Sequence, residues 1–150
     1  MRVVLQRVSK ASVTIDDTIH SQINRGFLIL LGITEGDQQE DIDWLVSKIV
    51  KMRLFPDSDN KMNLSLQDVD GDLLIVSQFT LHAGTKKGNR PSFTKAAKPD
   101  IAIPLYQQFL ATAEKALEKP CKSGQFGADM QINLLNDGPV TIIVDSHMRE

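Results

Sequence analysis

The stretch from Met130 to Val144 constrains the fold more than any other. Met130, Ile132 and Leu134 alternate with Gln131 and Asn133, and Val140-Thr141-Ile142-Ile143-Val144 is a β-branched run. Period-two alternation and β-branched side chains both demand extended chain. Between the two runs stands Asn136-Asp137-Gly138-Pro139-Val140-Thr141. Gly138 tolerates backbone angles denied to other residues. Pro139 fixes its own φ and has no N–H for a neighbouring strand. The bond between them is one of the few in the chain for which the cis form costs little. The segment therefore reads as the turn of a terminal hairpin. It is either an ordinary Gly-Pro turn or a rigid loop that points bare backbone at a ligand.

The rest of the chain supplies the layers around that hairpin. Arg2–Val8 and Ala11–Ile15 read as strands, with Thr18–Ile23 as a short third after Asp16-Asp17. Phe27–Ile33 is a continuous apolar run, the pattern of a strand buried on both faces. Ile42, Leu45, Val46, Ile49 and Val50 follow at the spacing of one helical stripe. Asp37 is the expected cap, with Glu40 three residues on, and the helix should end near Arg53 or Leu54, ahead of Pro56. Trp44 lies off the stripe, as a surface aromatic or an interface residue. Leu73–Val76 is a buried-type strand that runs on into Ser77-Gln78-Phe79-Thr80-Leu81. Pro99 and Pro104 bracket the start of a second helix. Its stripe is Leu105, Tyr106, Phe109, Leu110, Ala113, Ala116 and Leu117, and Pro120 stops it. Strands, helix, strand, helix, strands is not the alternation of a doubly wound fold. An α+β fold with a mainly antiparallel or mixed sheet and two principal helices is expected, as one domain over residues 1–150.

Several functional classes fall away. The net charge is −2, so nucleic acid would have to be met by a local patch. Lys86, Lys87 and Arg90 form one, with Lys95 and Lys98 close by, either to neutralise phosphates or as a solvated loop. Asp57-Ser58-Asp59 lacks the glycine and terminal glutamate of a calcium loop. Cys121 is the only cysteine, so it forms no internal disulfide and reads as filler. The longest apolar run is too short to span a bilayer, and the start of the chain has no signal pattern. A cytoplasmic protein with no membrane partner is expected.

Ser77 and Thr80 offer hydroxyls at a strand end but need a base to become nucleophiles. The histidines are His20, His82 and His147, each read as solvated or capping, although His82 would share Thr80's face if the strand continued. No carboxylate completes a triad, and a G-x-S-x-G elbow is absent. No His, Cys and carboxylate cluster has zinc spacing, so neither metal nor cofactor is expected. Phe126 and Met130 flank Gly127-Ala128. They could stack on a nucleobase, or Met130 could be the first core residue of its strand.

Ser77-Gln78-Phe79-Thr80 and Asn136–Thr141 together resemble the SQFT and NxGPxT signatures of the D-aminoacyl-tRNA deacylases. Gln6-Arg7-Val8, Leu31-Gly32-Ile33, Lys61-Met62-Asn63-Leu64-Ser65, Arg90-Pro91-Ser92-Phe93 and Gly127-Ala128-Asp129-Met130 extend the resemblance nearly end to end. It implies a curved sheet in a two-fold homodimer. It also implies hydrolysis of the ester of D-aminoacyl-tRNA, with glycyl-tRNA as a second substrate and no DNA partner. The SQFT residues would form the catalytic strand end. Thr80 is a nucleophile in one family proposal and a positioning residue in the reading favoured here. Gly138 and Pro139, as a cis pair fixed by Arg7, would exclude L-amino acids from a pocket shared between subunits. Phe126, Gly127, Ala128, Met130, Asn136 and Thr141 would bind substrate, Lys86, Lys87 and Arg90 would meet the tRNA backbone, and the 2′-hydroxyl of the tRNA would assist catalysis.

Overall fold

A computed structural model describes residues 1–149. Its order is β1 (Arg2–Ile15), β2 (Thr18–Ile23), β3 (Gly26–Gly32), α1 (Gln39–Lys51), β4 (Phe55–Pro56), β5 (Met62–Leu64), β6 (Asp72–Ser77), α2 (Pro99–Leu117), β7 (Lys122–Ser123) and β8 (Gln131–Asp145). The fold is α+β, with a curved mixed sheet and two principal helices. β1 pairs antiparallel with β2, β3 and β8, whereas β3–β6 and β6–β7 are parallel. The expected strands Arg2–Val8 and Ala11–Ile15 are one strand. β2 and β3 lie in succession along one edge of it, and β8 runs along the other.

That long, bending β1 makes two cores. Val3, Leu5, Phe27, Ile29, Leu31, Leu73 and Ile75 form one sheet face beneath both helices. Leu28, Leu74 and Val76 point the other way and meet Val8, Ala11, Val13 and Ile23 where the sheet curls over. Phe27–Leu31 is thus covered on both sides, which is why the run lacks alternation. Gly26 sits against Asp72 in the parallel pair, where a Cβ would collide with the Asp72 carbonyl.

The helices keep their expected stripes. Ile42, Leu45, Val46, Ile49 and Val50 are all buried, and Tyr106, Phe109 and Ala113 are the buried centre of α2. Trp44 is half-buried against the main core, with the Arg149 guanidinium 4.9 Å from its ring centre. Two boundaries differ from the sequence reading. α1 ends at Lys51, and its cap is Gln38, whose N–H donates to Asp41 Oδ2 at 2.8 Å. Asp37 is instead buried. It accepts from the Met1 ammonium at 2.5 Å and from the Thr34 N–H at 2.8 Å. A charge pair between residues so distant in the chain overrode the local capping pattern.

The largest correction concerns the end of the chain. Gln131–Asp145 is not a hairpin but one strand that pairs with β1 on both sides of Gly138. Gln6 opposes Thr141 and Val8 opposes Asn136, so Arg7 alone faces the segment between them. The six residues read as a reversal form a wide bulge. No helix among the described residues is long and apolar enough to cross a membrane.

Candidate active site

The SQFT segment does not continue its strand. β6 stops at Ser77, and Gln78 N–H donates to Leu31 O at 2.8 Å. β3 ends at Gly32, so the ladder has no further partner there, and Phe79–His82 winds into a 3₁₀ turn. Thr80 lies exposed on that turn, and its Oγ1 accepts from Gln78 Nε2 at 2.5 Å.

His82 is consequently not beside Thr80 on a strand, and it is not solvated. It is 8% exposed, packs against Gly32, and its Nε2 has no hydrogen-bond partner among the described residues. Burial lowers its pKa below the ordinary 6.5. The Gly32 carbonyl opposes this, Arg2 and the Met1 ammonium add to it, and Asp37 opposes it. The folded protein therefore binds fewer protons at His82 than the unfolded chain does. Its contribution is complete above pH 6.5 and is lost as pH falls through the lowered value. Between about pH 7 and about pH 5, the urea midpoint should fall less in His82→Gln than in the parent. Equal falls would show that other groups carry the effect.

A cavity of about 310 Å³ opens at the end of β3 and β6. Ser77, Gln78 and Phe79 form one wall, and Phe126, Gly127, Ala128 and Met130 another, over a floor of Leu31, Ile33 and Val76. The two expected groups thus meet, although they are far apart in sequence. Tyr106 helps place them. Its hydroxyl donates to Ile75 O at 2.8 Å, and its ring lies 6.0 Å from that of Phe126. Met130 crosses close over Gly124, where a Cβ would stand 2.5 Å from its sulfur. Ala97 and Ala102 also line the cavity. They carry no chemical signature, and nothing in their local pattern marks them.

Gly138 and Pro139 do not line this cavity. Both are exposed, on the bulge of β8, and their peptide bond is cis. Arg7 holds the bulge from beneath, donating from Nε to Asp137 O at 2.9 Å and from Nη1 to Leu54 O. Asn136 and Thr141 fasten its two ends. Asn136 Oδ1 accepts from the Val140 N–H at 2.8 Å, and Asn136 Nδ2 donates to Thr141 Oγ1 at 3.1 Å. Gln6 Nε2 reaches the same hydroxyl at 3.3 Å. Leu54 lies outside every motif read from the sequence, because only its carbonyl takes part.

Lys86, Lys87 and Arg90 are exposed on a segment bracketed by the Gly84–Ser92 bridge. Elsewhere, burial pushes the Cys121 thiol up to about 12, so it is not a thiolate at neutral pH. Asp37, Asp41 and His147 bring ligand atoms within 4.8 Å of one another. Asp37 Oδ1 is already bonded to the Met1 ammonium and to His147 Nε2.

A curved mixed sheet carries two helices, and its strand-end cavity is mainly apolar, with Ser77 and Gln78 as the polar side chains that line it. The chain belongs to the D-Tyr-tRNA(Tyr) deacylase family, whose model matches residues 4–145. A D-aminoacyl-tRNA deacylase of Flavobacterium johnsoniae is 61% identical over 150 residues, the whole of both chains. One of Bacteroides fragilis is 59% identical, again over the whole of both. A solved structure titled c-Myc DNA Unwinding Element Binding Protein matches with TM-score 0.91 and 41% identity, covering 97% of this chain and 98% of that one. A probable eukaryotic D-amino acid tRNA deacylase shares the fold at TM-score 0.81 and 20% identity, covering 95% and 97%.

Proposed function

We propose that this protein hydrolyses the ester bond of D-aminoacyl-tRNA, releasing amino acid and tRNA, and spares L-aminoacyl-tRNA. The observation that carries the mechanistic reading is what surrounds the cavity. Ser77 and Gln78 stand at its rim, the Thr80 hydroxyl is bonded to the Gln78 amide, and His82 is packed beneath the turn. An aminoacyl ester is already activated, so the protein has less barrier to remove than a protease does. Positioning and backbone donors suffice if the 2′-hydroxyl of the terminal ribose helps to activate water. Phe79 and Thr80 open the 3₁₀ turn, where N–H groups lack acceptors within the turn and can face a developing oxyanion.

Chirality calls for exclusion rather than attraction, because many side chains must be accepted. Gly138–Pro139 supplies the wall, with Arg7, Asn136 and Thr141 holding it. Glycyl-tRNA, lacking a Cβ, passes the same filter. Within one chain the wall is remote. Gly138 follows Ile132, which lines the cavity, by six positions of strand, roughly 20 Å of extended chain. A second copy about a two-fold axis brings its own bulge to this cavity. Leu134, Leu135 and Ile143 of β8, 38%, 55% and 69% exposed, provide apolar surface for the contact. The Phe126–Met130 wall takes the terminal adenine, and Lys86, Lys87 and Arg90 take acceptor-stem phosphates.

Hydrolysis of D-tyrosyl-tRNA and L-tyrosyl-tRNA, each followed against spontaneous decay, tests this reading. Loss of the D-ester alone is expected. Loss of both removes the filter from the proposal. Loss of neither, with tRNA still bound, makes the protein a nucleic-acid-binding module that uses the same basic loop. Thr80→Ala should stay within about tenfold of the parent, because loss of a true nucleophile costs on the order of 10⁴-fold or more. A loss on that scale in a folded, tRNA-binding variant would make Thr80 the nucleophile.

A further inference from the structure

Phe79 and Phe93 are exposed aromatics beside the cavity. Their rings meet edge to face, with centroids 5.1 Å apart and planes at 74°. They remain 56% and 38% exposed. A single exposed apolar side chain is ordinary, but a ring pair on the rim of a site has no role in the core. Phe93 is also firmly held. Ser92 before it exchanges hydrogen bonds with Gly84 at 2.7 and 2.9 Å, and Ala96 N–H donates to Phe93 O at 3.1 Å. Beyond it, Ala97 N–H donates to Ile33 O at 2.9 Å, and Thr34 Oγ1 donates to Lys95 O. The segment is fastened on both sides of the ring, and Ala97 itself lines the cavity. An exposed ring kept in place in this way is preorganised for contact.

Charge indicates the partner. From Leu73 to Pro99 the sequence has no Asp or Glu, yet it carries Lys86, Lys87, Arg90, Lys95 and Lys98 in a protein of net charge −2. All five are exposed, and among the described residues none is in an ion pair. An apolar protein surface would leave these cations unmatched. Aromatic faces set among free cations fit single-stranded nucleic acid, whose bases stack while its phosphates are neutralised. We propose that the Phe79–Phe93 pair is a stacking platform for the nucleobase that precedes the terminal adenosine of the tRNA 3′ end. This rests on the reading that the cavity receives the aminoacylated adenosine. Phe93, Lys95 and Lys98 share one fastened segment, so stacking and phosphate neutralisation come from the same piece of chain.

Two esters isolate the platform. D-Tyrosyl-tRNA contains the preceding nucleotide, whereas D-tyrosyl-adenosine lacks it. Phe93→Leu keeps apolar bulk and removes the aromatic face. It should lower kcat/KM on the tRNA ester about tenfold, mainly through KM, and lower the tRNA-to-adenosine activity ratio by the same factor. Phe93→Trp should restore the ratio. An unchanged ratio overturns the platform, whether activity on the two esters falls equally or not at all. An unchanged ratio with a lower oligomeric mass would instead assign the rings to a subunit contact. If the parent hydrolyses neither ester, the functional reading has failed, and the trinucleotide CCA tests the platform directly. Weaker CCA binding by Phe93→Leu supports it, and equal binding overturns it.

Discussion

Gly138→Ala is expected to lower kcat/KM for D-tyrosyl-tRNA by about 100-fold while the protein stays folded. Gly138 has φ 138°, and an added Cβ would stand 2.8 Å from Val140 Cγ2 and 3.0 Å from Arg7 Nη2. A side chain at such a φ costs about 1–3 kcal/mol, a melting shift of under about 10 °C for a chain of this size. The bulge is exposed, so it relieves the crowding by moving rather than by unfolding the sheet. A displacement of about 1 Å is enough for a loss of this size if the loop acts, as proposed, through position alone. The proportion of L-ester hydrolysed should rise if the displaced backbone is the proposed filter. Paired D- and L-ester assays with a thermal melt read all three quantities. Undiminished D-activity with intact discrimination would mean that the loop is not the filter.

Arg7→Met should be the most destabilising single change at the site, by about 2–4 kcal/mol. Arg7 is 7% exposed and bridges Asp137 O to Leu54 O. Its Nε also lies 3.5 Å from Asp137 Oδ2, but that carboxylate is half exposed, so the charge pair contributes little. The cost comes from the carbonyl acceptors, above all that of buried Leu54, which lose their donor. Arg7→Lys keeps the charge and loses the fork, so it should recover less than half of the stability. Urea unfolding measures the loss. D-ester hydrolysis, below the temperature at which the variant melts, should fall with it. A lysine variant as stable and active as the parent would show that charge, not the two-point bridge, fixes the bulge.

These two residues also mark how far the sequence could be read. Burial of Phe27–Leu31 on both faces and the stripes of both helices were legible, because apolar spacing reports burial directly. The meeting of Ser77–Phe79 with Phe126–Met130 was legible only through the family resemblance. Nothing local joins a strand end to a loop so far along the chain. The bulge reads locally as a reversal because Gly138-Pro139 is a turn signal whatever strand lies alongside. Only the pairing of β1 with both halves of β8 shows that the chain runs on. SQFT reads as continuing strand because no local signal marks where β3, its hydrogen-bonding neighbour, ends. The local pattern reads His82 as solvated or capping and Asp37 as a helix cap. Both are set by distant partners, Gly32 at the end of β3 and the Met1 ammonium.

The pairing of β1 with β8 also bears on how the molecule assembles. Arg2 opposes Asp145, so the ladder closes a loop nearly as long as the chain, at an entropic cost of about 4 kcal/mol. The hairpin of β1 with β2 and β3 is local and can form once Gly32 is available. The other edge of β1 must wait for the last strand to be synthesised, and an open edge is a site for mispairing. The bulge exists only once that ladder has closed. The element proposed to distinguish mirror images is therefore among the last to take shape, after the helices and most of the cavity can already have formed.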